Sequence, residues 1–286
     1  MMETLKKKHH EIIALYKLEK ELKDIYVEGN CDKVFFENYL KNKKCIKKIV
    51  PIQIVDFTEL PIEYHEGLDM NSNRNKLVIL SKLLQDNIPD TNVRCIVDKD
   101  FDDYLKSISN SKLLKTDFSC LESYLFCEDV IEKFLMIGIG NFPVNAAFVL
   151  EQLSTVLKSL FCLRLLRELK FRSAQLVEID GNLSITKQDA KINFSEHEYL
   201  NKFIGKNKLT KLSEQIIQDY NELKLSLNME IRHHIQGHDF IDVFFLYVNK
   251  IKNTAKYKEE NFDRTLFLTV ENQMIEDYPL FKCIIQ

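Results

Sequence analysis

Apolar residues in the first part of the chain recur with two different periods, which predicts alternating strands and helices. Short runs rich in Ile and Val have the composition of β-strands. The predicted strands are 24–28, 45–57, 93–97 and 112–115. Segments with apolar residues three or four positions apart predict helices. The predicted helices of this part are 3–23, 32–42, 70–85 and 121–126. This alternation favours a parallel sheet with helices on its faces.

The second half of the chain has a different pattern, in which helices predominate. Residues 146–171 have a strongly apolar face, and Asp180-Gly181-Asn182 between two β-prone runs, 175–179 and 183–186, predicts a hairpin. Further helices are predicted over 195–204, 209–227, 239–251 and 259–276. We therefore predict an α/β protein: a Rossmann-like core with a mainly parallel sheet over 1–128, and a largely helical region with a small hairpin over 129–286. The pattern leaves open whether the two regions pack as one body.

Composition narrows the class of protein. The 286 residues are 45% hydrophobic, with only 7 Gly and 5 Pro, so a core can form and a collagen-like or low-complexity chain is excluded. The 40 basic and 43 acidic residues give a formal net charge of −3, so a phosphate-binding surface must be a local basic patch. No P-loop motif is present, so a requirement for ATP must be met by a partner.

The cysteines and the apolar segments indicate the cellular compartment of the protein. Seven scattered cysteines without a Cys-x-x-Cys pair favour reduced thiols in a cytoplasm over disulfides or a zinc site. Cys95, Cys120 and Cys162 lie in apolar runs and are predicted core residues. No run approaches the ~18 consecutive apolar residues of a transmembrane helix, and the charged segment 1–23 lacks a secretory apolar stretch. We expect a cytoplasmic protein that does not enter a membrane.

Four carboxylates stand where the predicted strands end. Glu28 follows the first strand and Asp32 lies across the next turn, whereas Asp98 and Asp100 follow the third strand. Because ligands bind at the carboxyl ends of parallel strands, the four side chains are expected to converge on one site. Clustered carboxylates repel one another unless a cation lies between them, and Mg²⁺ or Mn²⁺ prefers oxygen ligands.

Each of these motifs also has a structural interpretation. A lone Asp-x-Asp is more often a solvated loop end, and Asp102 and Asp103 are expected to be solvated or to cap a helix. The combination is more specific: a strand, Glu-Gly-x-x-Asp and a helix, then a strand and Asp-x-Asp 70 residues after Glu28. That combination predicts a metal site, at which a bound cation could polarise a phosphate and lower the pKa of water.

The segments 26–32 (Tyr-Val-Glu-Gly-Asn-Cys-Asp) and 96–100 (Ile-Val-Asp-Lys-Asp) resemble the TOPRIM fold. That fold is shared by topoisomerases, bacterial primases, recombination mediators and OLD-type nucleases. The resemblance covers roughly residues 20–125 and implies bound Mg²⁺ (or Mn²⁺) that serves phosphoryl transfer. The implied metal ligands are Glu28, Asp32, Asp98 and Asp100.

A closer resemblance extends to later motifs. Thr116-Asp117 with Leu121-Glu122-Ser123-Tyr124, and then Gly237-His238-Asp239, are similar to an OLD-like branch that includes the AriB-type effectors of the PARIS anti-phage system. The resemblance implies a toxic endonuclease, with transfer RNA as a substrate, controlled by an ABC-type or AAA ATPase partner encoded nearby. The implied catalytic residues are Glu28, Asp98, Asp100 and Glu122. Without the resemblance, Glu122 is expected to be an exposed carboxylate and Asp239 a helix N-cap.

Several basic residues are candidates for phosphate contact. Lys99 lies between two candidate ligands and either contacts phosphate or neutralises its neighbours. The basic run 41–48 is the preferred patch, although such runs are usually solvated faces. His238 either presents its ring to phosphate at a helix start or is a buried structural histidine. The candidate nucleic-acid-binding residues are Lys43, Lys44, Lys47, Lys99 and His238.

Three functions remain open at this point. The first is a Mg²⁺-dependent nuclease that hydrolyses RNA or DNA, and a homodimer would let two protomers bracket one substrate. The second is a regulatory or interaction subunit with little activity, docked through its helical region onto an ATPase. The third is a non-hydrolytic TOPRIM module that binds DNA. We favour the first because the acidic set is complete and zinc-binding cysteine pairs, common in primases, are missing.

Overall fold

The computed structural model of the protein describes residues 6–41, 43, 47–252 and 262–285. The chain divides into two compact units. The first unit comprises Met1–Asp117 together with Glu271–Gln286, and the second comprises Phe118–Val270. This division differs from the predicted boundary at residue 128. The predicted region 129–286 is shared between the units because the chain returns to the first unit after Val270.

A parallel sheet forms the centre of the first unit. The strands before residue 118 are β1 (Lys7–Lys8), β2 (Ile25–Val27), β3 (Ile49–Pro51), β4 (Val55–Asp56), β5 (Arg94–Val97) and β6 (Leu113–Lys115). The helices before residue 118 are α1 (His9–Leu18), α2 (Asn30–Leu40), α3 (Ile62–His65) and α4 (Asn73–Asn87). Four strands form one sheet in the order β3-β2-β5-β6 with parallel pairing throughout, and β1 pairs in parallel with β4. The predicted α/β fold with a mainly parallel sheet is confirmed.

Apolar side chains of α1 and α4 pack on this sheet. Tyr16 of α1 and Leu80 of α4 are almost fully buried in one cluster with Tyr26, Val50 and residues of β5. Helix α4 begins at Ser72, whose hydroxyl accepts the N–H of Asn75 at 3.3 Å, as expected of a serine N-cap. The predicted strand 45–57 is interrupted, because a 3₁₀-helix, Ile52–Ile54, separates β3 from β4.

The second unit is mostly helical. Its helices are α5 (Glu128–Lys133), α6 (Ala146–Lys170), α7 (Glu196–Lys206), α8 (Ser213–Ser226), α9 (Gly237–Lys252) and α10 (Phe262–Phe267). Its strands are β7 (Leu183–Ile185) and β8 (Ile192–Phe194), which pair antiparallel. The central α6 packs against α5, α8 and α9. The segment Leu121–Leu125 is a 3₁₀-helix rather than the start of an α-helix, and Phe134–Ile139 is a π-helix.

Among the described residues, α6 is the one helix long and apolar enough to cross a membrane. Within its most apolar stretch, 56% is buried inside the protein, as in the core helix of a soluble protein. The cytoplasmic location stays a prediction. Cys95, Cys120 and Cys162 are buried, as predicted, and the cysteines of the described residues form no disulfide.

The predicted hairpin at 175–186 is wrong. Residues 180–182 do form a turn, with Gly181 at φ 77°, but β7 pairs with β8 instead of with 175–179. Side chains of α7 and its end take the backbone groups that a strand would have used. Tyr199 donates to the carbonyl of Val177 at 2.6 Å, and Asn207 accepts the N–H of Gln175 at 2.7 Å. Such contacts depend on tertiary structure and leave no short-range signal.

The predicted helix 259–276 is interrupted in the part that the structure describes. The chain forms α10, then α11 (Asn272–Ile275) and α12 (Pro279–Ile285), with a turn at 268–271. Thr269 Oγ1 donates to the carbonyl of Leu266 at 2.6 Å, and Thr and Val at 269 and 270 are β-branched. Both features weaken a helix at this position.

The segment after Val270 completes the core of the first unit. Phe281 of α12 is fully buried, and its ring centroid lies 4.9 Å from that of Tyr39 in α2. The rings of Phe35 and Phe36 also contact it, at 6.1 and 6.0 Å. These aromatic contacts hold residues about 240 positions apart in one core.

Candidate functional site

Two adjacent strands of the sheet position the first pair of carboxylates. Glu28 follows β2 and Asp98 follows β5, and these strands pair in parallel. The backbone N–H of Asp98 donates a hydrogen bond to Glu28 Oε1 at 3.2 Å. Gln53 Nε2 donates to the carbonyl of Glu28 at 2.7 Å and fixes the end of β2. Positions 70 apart in the sequence therefore meet at the carboxyl edge of the sheet.

Burial and neighbouring negative charge act together on Glu28. Burial raises the pKa of its carboxyl group most, the charge of Asp100 raises it further, and Asp32 adds a smaller effect. The Asp98 N–H and the Arg74 guanidinium act in the opposite direction, and the resulting pKa of Glu28 is about 7. A carboxylate that is costly to ionise beside other acids is stabilised by a cation.

The carboxylate of Asp32 supports the start of α2. Its Oδ2 accepts the backbone N–H of Gly29, the N-cap residue of α2, at 2.9 Å, which is the half of a capping box that the third helical residue supplies. Burial raises the pKa of Asp32, and hydrogen bonds from the backbone, first that of Gly29, lower it. Asp32 thus shapes the turn that follows Glu28, and its role as a metal ligand stays a prediction.

Asp100 lies in a left-handed backbone conformation. Its φ is 50°, a region that residues other than glycine adopt rarely, although aspartate tolerates it better than most. Such a conformation costs about 1–2 kcal/mol, and residues with this strain cluster at functional sites. The carboxylate of Asp100 pairs with the guanidinium of Arg74, with 3.2 Å between Oδ2 and Nε.

Arg74 is the residue of this site that the sequence did not reveal. From the first turn of α4, its Nε contacts the carbonyl of Asp98 at 3.2 Å as well as Asp100, and its terminal nitrogen pairs with Asp102 at 2.7 Å. A cation in the first turn of a helix opposes the helix dipole, and that unfavourable position was the available signal. Arg74 connects the loop after β5 to α4 and offsets part of the negative charge of that loop.

The other charges of this loop are paired. Lys99 Nζ contacts Asp103 at 2.6 Å, which supports its role as a neutralising neighbour rather than a free phosphate contact. Asp102 lies between Arg74 and Lys115, at 2.7 and 2.6 Å, and its side chain is only 11% exposed. Asp102 is therefore part of an ion-pair network and not the solvated or helix-capping residue that we expected.

The donor chemistry fits a hard divalent cation. The candidate ligands Glu28, Asp32, Asp98 and Asp100 supply only carboxylate oxygens, and the raised pKa of Glu28 records the electrostatic cost that a cation would remove. In the part of the chain that the structure describes, no three His, Cys, Asp or Glu residues are grouped closely enough to hold a metal ion. Binding would therefore require the side chains to draw together.

Two lysines of the predicted basic patch, Lys43 and Lys47, are engaged within the first unit. Lys43 Nζ pairs with Glu276 at 2.6 Å, and Lys47 Nζ donates to the carbonyl of Ile284 at 2.8 Å. Lys44 lies outside the described residues. The structure gives Lys43 and Lys47 a role in attaching the segment after Val270, and their contact with nucleic acid stays a prediction.

Two sequence motifs of the second unit meet at the start of α9. A Cβ atom placed on Gly237 would lie 2.1 Å from Glu122 Oε2 and 2.5 Å from its Cδ, so a larger residue at 237 would displace the Glu122 carboxylate from this position. The first turn of a helix carries unpaired N–H groups and partial positive charge, which favour a carboxylate there. Ser119 Oγ lies 2.9 Å from the carbonyl oxygen of Arg232 and 2.5 Å from that of Ile235, so its single proton can be donated to either carbonyl, and the side chain joins the same segments.

Glu122 is half-buried rather than an exposed helix-start carboxylate. It belongs to the second unit, whereas Glu28, Asp98 and Asp100 belong to the first. The catalytic role predicted for Glu122 stays a prediction.

We expect Gly237→Ala to lower the free energy of unfolding by about 1 kcal/mol, because the new methyl group displaces the flexible Glu122 carboxylate from the start of α9. In a Glu122→Ala background the same change is expected to cost less than ~0.5 kcal/mol, since the methyl group then has space. Urea denaturation of the wild type, both single variants and the double variant measures the coupling. Additive costs would contradict the contact.

The remaining residues of the Gly-His-Asp motif differ in environment. Asp239 is buried, and Arg164 Nε contacts its Oδ2 at 2.6 Å in a bidentate ion pair. Its carboxylate is thus engaged by Arg164 rather than used as a simple N-cap. His238 is exposed, so it is not the buried structural histidine that the sequence offered as one interpretation. Its contact with phosphate stays a prediction.

The first unit combines half-buried carboxylates at a sheet edge with a guanidinium held among them. Carboxylates of this kind suit a hard cation, and a fixed cationic group suits a phosphate. A scan of the chain against models of known families finds no match, and a search of curated proteins finds no similar sequence.

Proposed function

We propose that this protein is a divalent-metal-dependent nuclease of the TOPRIM type that hydrolyses phosphodiester bonds in nucleic acid. The observation that carries the proposal is the contact of Glu28 with Asp98 at the carboxyl ends of two adjacent parallel strands. Open parallel sheets bind their ligands at this edge. The sequence motifs that resemble the TOPRIM family lie on the same two strands.

The proposed metal ligands are Glu28, Asp98 and Asp100, with Asp32 in support. A divalent cation there would supply positive charge to a phosphate oxygen and favour the ionisation of an attacking water. The protein contributes the placement of these groups. Arg74 holds the carbonyl of Asp98 and the carboxylate of Asp100, and Asp32 holds the turn after Glu28. Groups fixed in this way lose little entropy when a substrate binds.

The proposed biological role rests on the resemblance of the sequence motifs. We propose a toxic effector of anti-phage defence that cleaves RNA such as transfer RNA, works in the cytoplasm and is controlled by an ABC-type or AAA ATPase. The meeting of Glu122 with Gly237 supports treating these two motifs as parts of one arrangement. A homodimer belongs to the same proposal, as does Mg²⁺ or Mn²⁺ as the cofactor.

A regulatory subunit with little activity of its own is the second candidate. It is favoured by the absence, in the described residues, of a ready group of three metal ligands, and by the pairing of Asp100 with Arg74. A non-hydrolytic DNA-binding module would share these features. The two candidates differ from the nuclease in one measurable respect, which is cleavage in the presence of metal.

The test is cleavage of transfer RNA, single-stranded DNA and duplex DNA by the purified protein, with Mg²⁺, with Mn²⁺ and with chelator. We expect metal-dependent cleavage that Glu28→Ala abolishes, because Glu28 is the ligand at the centre of the cluster. The matched control is Glu66→Ala, which removes an exposed glutamate of the same unit and should cleave normally. Full cleavage by Glu28→Ala, or undiminished cleavage in chelator, would contradict the proposal.

A further inference from the structure

A cavity of about 760 Å³ lies in the first unit, between α1 and the sheet. This volume is in the range of small-molecule sites. Much of the wall is aliphatic, formed by Ile12 and Leu15 of α1 together with Leu22, Val50 and Ile54. The lining residues Asp24 and Lys48 directly precede β2 and β3, so the cavity reaches the amino edge of the sheet. Glu28 and Asp98 lie at the opposite edge, so this cavity is separate from the carboxylate site.

The inner part of the cavity offers hydrogen-bond acceptors. Tyr16 Oη donates to Asp24 Oδ2 at 2.8 Å, and the hydroxyls of Tyr16 and Tyr26 are 2.9 Å apart. Because the proton of Tyr16 points to Asp24, Tyr26 must donate to Tyr16. The phenol oxygen of Tyr26 keeps lone pairs, as does the Asp24 carboxylate. Burial raises the pKa of both tyrosines, so both remain neutral.

Lysines give the same cavity positive charge. Lys7, Lys23 and Lys48 contribute to its lining, and Lys7 and Lys48 are exposed. Two acids, Glu21 and Asp24, also line it, and Asp24 already accepts from Tyr16. Ammonium groups at an open surface suit a phosphate, which they contact as point charges.

We propose that this cavity binds a nucleoside monophosphate, with the phosphate on the lysines, the base between the aliphatic side chains and an amino group of the base on Tyr26 and Asp24. Three features select this class of ligand: an anionic group for the ammonium groups, a flat apolar body for the aliphatic walls and a donor for the acceptors at the inner end. A fatty acid supplies an anionic group and an apolar body but lacks the donor. This inference is independent of the proposed nuclease activity.

The experiment is calorimetric titration of the full-length protein with adenosine 5′-monophosphate in chelator, so that the carboxylate site plays no part. We expect saturable binding, about fivefold tighter than that of purine riboside 5′-monophosphate, which lacks the amino group. A 5′-phosphorylated oligonucleotide beginning with adenosine distinguishes the end of a nucleic acid from a free nucleotide, according to which binds more tightly.

Variants locate the binding. The double change Lys7→Glu and Lys48→Glu is expected to weaken adenosine 5′-monophosphate at least about tenfold and to leave adenosine almost unchanged. Leu15→Trp, which fills the cavity, is expected to abolish binding of both. Lys17→Glu, on an exposed position of α1 outside the cavity, is the matched control and should bind normally. Thermal denaturation verifies that each variant is folded.

Three results would overturn the inference. They are no saturable binding of adenosine 5′-monophosphate, equal affinity of the lysine variant and the Lys17→Glu control, and saturable binding of decanoate in place of the nucleotide. Equal affinity for the two purine nucleotides would contradict the contact of the amino group with Tyr26 and Asp24, and with it the proposed orientation of the nucleotide.

Discussion

Replacing Glu28 with glutamine is expected to raise the free energy of unfolding at pH 8 in metal-free buffer. The pKa of Glu28 in the folded protein is about 7, against an ordinary value of 4.5. Because this pKa is raised on folding, the contribution of Glu28 to the free energy of unfolding is fully present below pH 4.5 and is lost as the pH rises through 7. Glutamine stays neutral and still accepts a hydrogen bond from the Asp98 N–H. It therefore avoids the loss of ~3 kcal/mol in the free energy of unfolding that ionisation of Glu28 causes.

Urea denaturation of both proteins between pH 4 and pH 8 measures this effect. The difference in stability should be small near pH 4 and grow across the window from 4.5 to 7. Glu37→Gln, an exposed position of α2, is the control and should follow the wild type at every pH. Mg²⁺ should raise the melting temperature of the wild type at pH 8 and have little effect on Glu28→Gln. A pH-independent difference would contradict the electrostatic account.

Replacing Phe281 with alanine is expected to lower the free energy of unfolding by about 3–5 kcal/mol. The side chain is fully buried, and its ring contacts Phe35, Phe36 and Tyr39 of α2. The change leaves a cavity between α2 and α12 and removes the aromatic contacts. Because typical domains are stable by about 5–15 kcal/mol, this variant should unfold at much lower denaturant concentration.

Phe281→Leu is the graded control. Leucine keeps much of the apolar volume, so its cost should stay below about 1.5 kcal/mol. Denaturant unfolding followed by circular dichroism measures both variants. A loss below ~1 kcal/mol for Phe281→Ala would show that α12 contributes little to the first unit.

The sequence predicted the elements that depend on local pattern. The strands β2, β5 and β6 lie close to the predicted ranges because each is a short run of strand-forming residues, and the helices α2, α4, α6, α7 and α9 do so because each has a periodic apolar face. The contact of Glu28 with Asp98 followed from two strand ends and the rule for parallel sheets. Sequence pattern was informative wherever the physical cause acts within a few residues.

Other features depend on contacts between distant residues. Arg74 carries no motif, and its role comes from the fold that brings α4 to the loop after β5. The hairpin predicted at 175–186 does not form, because Tyr199 and Asn207 take hydrogen-bonding groups of the backbone in one predicted strand. The boundary at residue 128 did not anticipate that Phe281 returns to α2. No single-sequence pattern contains the information on the hairpin or the boundary, and Arg74 is marked only by its unfavourable position in the first turn of a helix.

The discontinuous first unit has a consequence for biosynthesis. Ribosomes deliver Phe281 only after all of Phe118–Val270 has been made, so the nascent core around Tyr39 must wait for its aromatic partner. During that interval the helical unit can already fold, whereas the carboxylate-bearing unit is still missing part of its interior. Translation order would thereby delay maturation of the carboxylate site until the intervening unit has been synthesised.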